Sequence, residues 1–167
     1  MADTLLDHFW DVNTGGLSTT ADDGEALIVR QKDLMDNATP SANSLAATGL
    51  LRLAALTGEA RYRHQAEQIL QLVGGVVAGA PTAFGRLLAA VDMWRAGITE
   101  IAVVGDRPDL VAAVHARYLP NGVLAWGEPY DSPLWQDRRE GWAYVCRDYA
   151  CQAPAGTVEE LAGQLGS

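Results

Sequence analysis

The segment 44–56 restricts the fold of this chain more than any other, because it predicts a helix with almost no polar face. Its polar residues are Ser44, Thr48 and Arg52, each about one helical turn from the next. A helix that is apolar nearly all round must be covered on most sides by other parts of the protein. We therefore expect this helix to be buried, with the residues before it at the edge of buried space.

A polar stretch, residues 30–43, leads directly into this helix and contains the candidate functional residues. Loops and free N–H groups at the start of a buried helix can hold the hydroxyl or ionic groups of a ligand. Seven side chains of the stretch are predicted to bind substrate: Arg30, Lys32, Asp33, Asp36, Asn37, Ser41 and Asn43. Asp33 and Asp36 could also supply the acid and base that glycoside chemistry needs. The sequence alone assigns no catalytic residue.

The same residues have a structural interpretation, which the sequence leaves open. Asp36, Asn37 and Ser41 are residue types that cap helices and brace turns through hydrogen bonds from side chain to backbone. The two cations of the stretch could form ion pairs with Asp33. Ligand binding and internal bracing are therefore both compatible with this pattern.

Hydrophobic periodicity predicts a helical first part and a small α/β second part, divided into 1–97 and 98–167. Helices are predicted at 3–10, 44–56, 59–77, 83–94, 108–118 and 157–165. Strands are predicted at 17–20, 26–29, 101–104, 123–126 and 143–146. The first two strands would form a hairpin that delivers Arg30 and Lys32 to the polar stretch. The segments 101–104, 108–118 and 123–126 would form a β-α-β unit.

Charge and hydropathy exclude several classes of partner. The chain has 167 residues and a formal net charge of −9. An acidic chain without a basic run is not expected to bind nucleic acid or an anionic membrane. No run of about 18 apolar residues is present, and the first residues lack the basic region of a signal peptide. We therefore expect a cytoplasmic protein.

The two cysteines, Cys146 and Cys151, are separated by four residues. Two cysteines are too few for a disulfide scaffold, and a zinc site needs about four ligands. We expect two buried free thiols, with a disulfide across a turn at 147–150 as the less favoured alternative. No metal site and no cofactor are predicted.

Four short elements of the chain match one protein family: residues 26–33, 36–44, 143–146 and 151–154. The specific parts are Asp-Asn-Ala-Thr-Pro-Ser and Tyr-Val-Cys. The chain resembles the C-terminal part of the thioredoxin-domain-containing family related to spermatogenesis-associated protein twenty. This resemblance implies a six-hairpin (α/α) toroid similar to N-acylglucosamine 2-epimerases, preceded by a thioredoxin-like domain. The chain departs from the family pattern by being short and by lacking a Cys-x-x-Cys motif.

Together these observations predict a mainly α fold, in which helical hairpins of a partial (α/α)6 toroid carry a small appended β-α-β unit. The predicted role is that of a C-terminal module without independent catalysis, carrying part of a pocket for a small carbohydrate. The alternative is a sugar-acting enzyme of the epimerase or glycoside hydrolase class, once the rest of the barrel is supplied. Epimerases of this architecture rely on His, and the polar stretch has none.

The predicted partners follow from the two apolar helices. Segments 44–56 and 83–94 would expose apolar area if the neighbouring hairpins of a toroid were absent. We therefore expect a homo-oligomer formed through these helices, or docking to the toroid and thioredoxin-like domains that the resemblance implies.

Overall fold

The computed structural model describes residues 2–24 and 28–166. Their α-helices are α1 (Ala2–Phe9), α2 (Ala42–Thr57), α3 (Ala60–Val77), α4 (Gly85–Ala96), α5 (Pro108–His115) and α6 (Val158–Leu165). The strands are β1 (Thr99–Val103), β2 (Gly122–Trp126), β3 (Ala143–Arg147) and β4 (Ala150–Cys151). Short 3-10 helices lie at Pro81–Phe84 and Pro133–Trp135.

The predicted fold class, a mainly α partial toroid of helical hairpins, is wrong. The described residues form six α-helices and a four-stranded mixed sheet, which is a mixed α/β fold. Most of the helices were predicted near their observed places. The toroid came from the family resemblance, and hydrophobic periodicity could not correct it, because periodicity shows which face of a helix is apolar and does not identify the element that covers it.

The chain divides into two compact units. The helical unit contains Met1–Leu51 and Ala60–Trp94, and the sheet unit contains Arg52–Glu59 and Arg95–Ser167. Helix α2 therefore contributes residues to both. The domain boundary predicted at residue 97 stays a prediction.

In the helical unit, α3 buries the stripe that its sequence period predicts. Tyr62, Ala66, Ile69 and Val73 are buried at steps of three and four residues. Burying one large apolar side chain contributes roughly 1.5–3 kcal/mol, so this stripe is a major source of stability for the unit. Phe84 at the end of a 3-10 helix is also buried.

The predicted hairpin of strands 17–20 and 26–29 is not found in the described part of the chain. Leu17 forms only an isolated bridge with Trp10, and one backbone bond joins Thr19 to Gln31. Residues 25–27 lie outside the described residues. Ile28 and Val29 are exposed and lie outside any strand. Their high β propensity does not produce a strand without a partner backbone and a buried face.

The sheet unit has the strand order β2-β1-β3-β4. β1 and β2 are parallel and are joined by α5, which confirms the predicted strands and the helix between them. β3 is antiparallel to β1, and β4 is antiparallel to β3. One core cluster contains Ile101, Val103, Leu110, Val145 and Leu161 among its buried residues. A second contains Ala102, Ala125, Leu134, Tyr144 and Cys146.

The last helix begins where its sequence predicts. Thr157 caps α6 by accepting the backbone N–H of Glu160, whose side chain accepts the backbone N–H of Thr157 in return. This reciprocal capping box satisfies backbone N–H groups that a helix cannot pair internally. None of the helices described here is long and apolar enough to cross a membrane.

Candidate functional site

Asp36 lies between the beginnings of α2 and α4. Its Oδ1 accepts the backbone N–H of Ser41 at 2.8 Å, and its Oδ2 accepts those of Arg86 at 2.7 Å and Leu87 at 3.3 Å. Burial alone would raise the pKa of this carboxyl, but hydrogen bonds from Ser41, Ser44 and Arg86 outweigh burial and lower it. Asp36 is therefore held ionised by the same groups that it caps.

Asn43 is 1% exposed and joins three backbone groups of the helical unit. Its Oδ1 accepts the N–H of Leu17 at 2.7 Å. Its Nδ2 donates to the carbonyls of Leu17 at 2.9 Å and Asp33 at 2.8 Å. The amide thus holds the segment around residue 17 against the start of α2.

Ser41 is the residue before α2 and caps it. Its buried Oγ accepts the backbone N–H of Ser44 at 3.1 Å and donates to the Ser44 hydroxyl at 2.8 Å. This bond to the third residue of the helix is the usual N-cap arrangement. The capping role offered by the sequence is therefore present at Ser41.

Arg30 donates to backbone carbonyls of the residues that precede it. Its Nη2 donates to the carbonyls of Thr20 at 2.6 Å and His8 at 2.9 Å. A guanidinium placed in this way satisfies one carbonyl in the last turn of α1 and one carbonyl outside regular secondary structure. Its contacts in the structure are internal hydrogen bonds that hold the segment around Arg30 against His8 and Thr20.

Lys32 pairs with Asp11, at 2.8 Å between Nζ and Oδ2, and also donates to Gly15 and Thr14. The hydrogen bond from Lys32 is the main reason that the pKa of Asp11 lies well below its ordinary range. The sequence had offered Asp33 as the partner of the two cations. The acceptors found are Asp11 for Lys32 and backbone carbonyls for Arg30.

Asp33 and Asn37 are the exposed members of the predicted set. Asp33 Oδ2 accepts the N–H of Ala42 at 3.3 Å, and Asn37 Nδ2 donates to the carbonyl of Met35 at 3.5 Å. All seven predicted residues thus direct polar atoms at groups within the helical unit, and the side-chain bonds of Asp33 and Asn37 are long. Their assignment to substrate stays a prediction, and the arrangement itself is that of a capping and bracing network.

The sheet unit contains a disulfide between Cys146 and Cys151, which was the less favoured alternative from the sequence. The prediction of two free thiols is therefore wrong. The two residues are cross-strand partners of β3 and β4, with Cα atoms 3.9 Å apart. The spacing of five residues permits this pairing because the chain reverses between them in a two-residue turn.

Arg138 lies beside both sulfur atoms of this disulfide. Its Nη2 is 2.9 Å from Cys151 Sγ and 3.9 Å from Cys146 Sγ. Its guanidinium also lies over the ring of Tyr144, at 4.5 Å from the ring centroid. The only signal in the sequence was its position in a loop rich in Arg and aromatic residues.

The turn between the two cysteines uses non-glycine residues at positive φ. Asp148 has φ 46° and Tyr149 has φ 62°. The backbone N–H of Tyr149 donates to Glu100, and its hydroxyl donates to the carbonyl of Ala54 at 2.7 Å. Burial and the charge of Glu100 raise the pKa of the Tyr149 phenol. These bonds hold a turn whose conformation ordinarily favours Asn and Gly.

His8, Asp22 and Asp23 form another polar cluster, in the helical unit. His8 Nδ1 lies 3.1 Å from Asp22 and 3.5 Å from Asp23, so these residues offer three potential metal ligands on an exposed surface. Exposed groups of this kind are common without a bound ion.

In the sheet unit, a cleft of about 340 Å³ combines apolar walls with the cationic side chains of Arg52 and Arg117.

These features define a mixed α/β protein with a capping network in one unit and a cross-strand disulfide in the other. No family model matches the chain. The chain is homologous over nearly its whole length to spermatogenesis-associated protein 20. Identity is 32% to the human protein over 96% of this chain, and 29% to the rat protein over 92% of it. The chain spans 23% of the human protein and 22% of the rat protein.

Proposed function

We propose that the chain is a docking module without independent catalysis, which associates with a second copy through the exposed face of α2. The observation that carries this proposal is Leu45, a large apolar side chain of α2 that stays about half exposed. A self-associating module of this kind fits the homology, since the curated relatives contain this region as less than a quarter of their length.

The inner face of α2 contains both polar and apolar residues, and Leu45 lies on its outer face. Asn43, Ser44 and Thr48 are buried together with Leu50 and Leu51, whereas Leu45 keeps 49% of its surface exposed. Gly49, one turn beyond Leu45, is also exposed. A helix at a protein surface ordinarily turns its polar residues to water. An exposed large apolar side chain on the outer face of a helix therefore supports contact with another protein surface.

A second copy is the proposed occupant because this face is self-complementary. Leu45 projects from it, and a methyl group added at Gly49 would meet no heavy atom within 4 Å, so Gly49 leaves open space one turn along the helix. In an antiparallel two-fold pairing, Leu45 of each copy would lie against Gly49 of the other. The repulsion due to the net charge of −9 is screened at physiological salt.

Sedimentation equilibrium at micromolar protein tests the pairing. We expect a dimer of the 17.8 kDa chain, converted to monomer by Leu45→Glu. Val76→Glu is the matched control, because Val76 is an exposed apolar residue of α3, and this variant should remain a dimer. Circular dichroism checks that both variants are folded. A wild-type monomer at every concentration, or dissociation by the control substitution, would refute the proposal.

The proposal also assigns the polar stretch to internal bracing instead of substrate binding. Isothermal titration against a panel of monosaccharides and disaccharides should give no heat of binding. Millimolar affinity corresponds to about −4 kcal/mol and is measurable. Such binding, if it were abolished by Asp33→Ala or Asn37→Ala, would restore the interpretation of this stretch as a carbohydrate pocket, because these exposed residues can be changed while the caps at Asp36 and Ser41 are kept.

A further inference from the structure

The disulfide Cys146–Cys151 differs from a purely structural crosslink because a cation lies against it. Arg138 Nη2 reaches both sulfurs, at 2.9 Å from Cys151 and 3.9 Å from Cys146. We propose that this disulfide is a thiol–disulfide exchange site for a dithiol reductant, with Arg138 stabilising the thiolates that form when the bond opens.

Arg138 is fixed in place before any reaction. Its Nε donates to the carbonyl of Leu134 at 3.1 Å, and its guanidinium lies over the ring of Tyr144. Both contacts come from the same side of the sheet unit, where Leu134, Tyr144 and Cys146 are buried in one cluster. A pre-positioned cation lowers the free energy of a neighbouring thiolate, which is the leaving group in exchange.

Access to the two sulfurs is unequal. Cys146 is 3% exposed, whereas Cys151 on the two-residue strand β4 is half-buried. A reductant therefore reaches Cys151 first. Glu100 is the cross-strand partner of Cys146 on β1 and accepts the N–H of Tyr149, so a carboxylate lies on the Cys146 side of the pair. This carboxylate disfavours a lasting thiolate at Cys146.

The exchange is a two-electron reaction with two substitutions. A thiolate of the dithiol attacks Cys151 Sγ, the S–S bond breaks, and Cys146 leaves as a thiolate within reach of Arg138. The second thiolate of the dithiol then attacks the dithiol sulfur that is bonded to Cys151. Cys151 leaves as a thiolate 2.9 Å from Arg138 Nη2. The dithiol is oxidised to a disulfide and releases two protons, and the protein takes up two electrons and two protons overall.

The first test is the rate at which dithiothreitol reduces the folded protein, followed by mass spectrometry after alkylation. We expect Arg138→Met to be reduced about tenfold more slowly than the wild type, because the leaving thiolates lose their cation. Arg139→Met is the matched control, since Arg139 lies over the Trp142 ring and should leave the rate within about twofold. If Arg138 only held the loop in place, its loss would expose the disulfide and reduction would be faster or unchanged. Either of those results overturns the proposal.

The second test measures the thiolate directly in Cys146→Ser, which leaves Cys151 as a single thiol. The pH dependence of its alkylation rate should place the pKa of Cys151 below the ordinary value of about 8.5. Adding Arg138→Met should return the pKa toward that value, while adding Arg139→Met should not. An ordinary pKa of Cys151 in Cys146→Ser overturns the proposal. An unchanged pKa of Cys151 after adding Arg138→Met also overturns it, even if Arg138→Met makes the protein less stable.

Discussion

The carboxylate of Asp36 accepts the backbone N–H of Arg86 at 2.7 Å, across 50 residues of sequence. The other oxygen of the same carboxylate accepts the N–H of Ser41 at the start of α2. One side chain therefore caps the beginnings of two helices, α2 and α4.

Replacing Asp36 with Ala should lower the free energy of unfolding by about 2 kcal/mol, because each lost helix cap costs about 1 kcal/mol. Urea denaturation followed by circular dichroism measures this change. Asp33→Ala is the control, since Asp33 is exposed and makes one long bond to Ala42, and its effect should be within about 0.5 kcal/mol. Equal effects of the two substitutions would contradict the capping role of Asp36.

The depressed pKa of Asp36 also predicts acid sensitivity. Its contribution is fully present above the pKa of an unfolded Asp, about 4, and is lost as pH falls through the lower folded pKa. Stability of the wild type should therefore decline below about pH 4 more steeply than that of Asp36→Asn, which has no carboxyl at this position. Urea midpoints measured at several acidic pH values provide the comparison. Parallel pH profiles would show that Asp36 is not linked to folding.

Asn43→Leu should destabilise the helical unit by about 3 kcal/mol, even though it adds apolar volume. The substitution leaves the N–H and carbonyl of Leu17 and the carbonyl of Asp33 without their partner. Each unpaired buried group costs about 1–3 kcal/mol. Asn37→Leu serves as the control at an exposed position and should change stability little. A neutral or stabilising Asn43→Leu would mean that water replaces the amide.

Substitution by Ala should change the stability of the protein in opposite directions at two glycines of the sheet unit. Gly58 has φ 80°, and an added Cβ would lie 2.7 Å from the ring of Pro133, so Gly58→Ala should destabilise by more than about 1 kcal/mol. Gly163 is exposed within α6, and its Cβ would meet nothing within 4 Å. Gly163→Ala should therefore stabilise by up to about 1 kcal/mol. Thermal melts of both variants test the sign of each effect.

The sequence specified the helices and parallel strands well, because their signals are local. The period of α3, the cap at Thr157 and the run 101–104 each indicate an element without reference to the rest of the chain. The toroid was wrong because it depended on which elements cover the apolar helices. Strand β4 was missed because Asp148 and Tyr149 are not the residues that signal a tight hairpin.

The candidate site illustrates the same limit. The sequence located a dense polar stretch and offered both ligand binding and bracing as interpretations. It could not supply the hydrogen-bond partners, since Asp36 accepts from Arg86 and Asn43 accepts from Leu17, far away in the chain. The sequence did not predict Arg138 as a partner of the cysteines, because its contact with sulfur exists only once β3 and β4 are paired.

The buried Asn43 has a consequence for how α2 finds its orientation during folding. Burial of Leu50 and Leu51 favours one side of the helix, but burial of apolar area is not directional and tolerates small rotations. A rotated α2 would leave the backbone groups of Leu17 without the amide of Asn43, at about 1–3 kcal/mol for each group. Burial thus selects the side of α2 that faces inward, and the directional bonds of Asn43 select its rotational register.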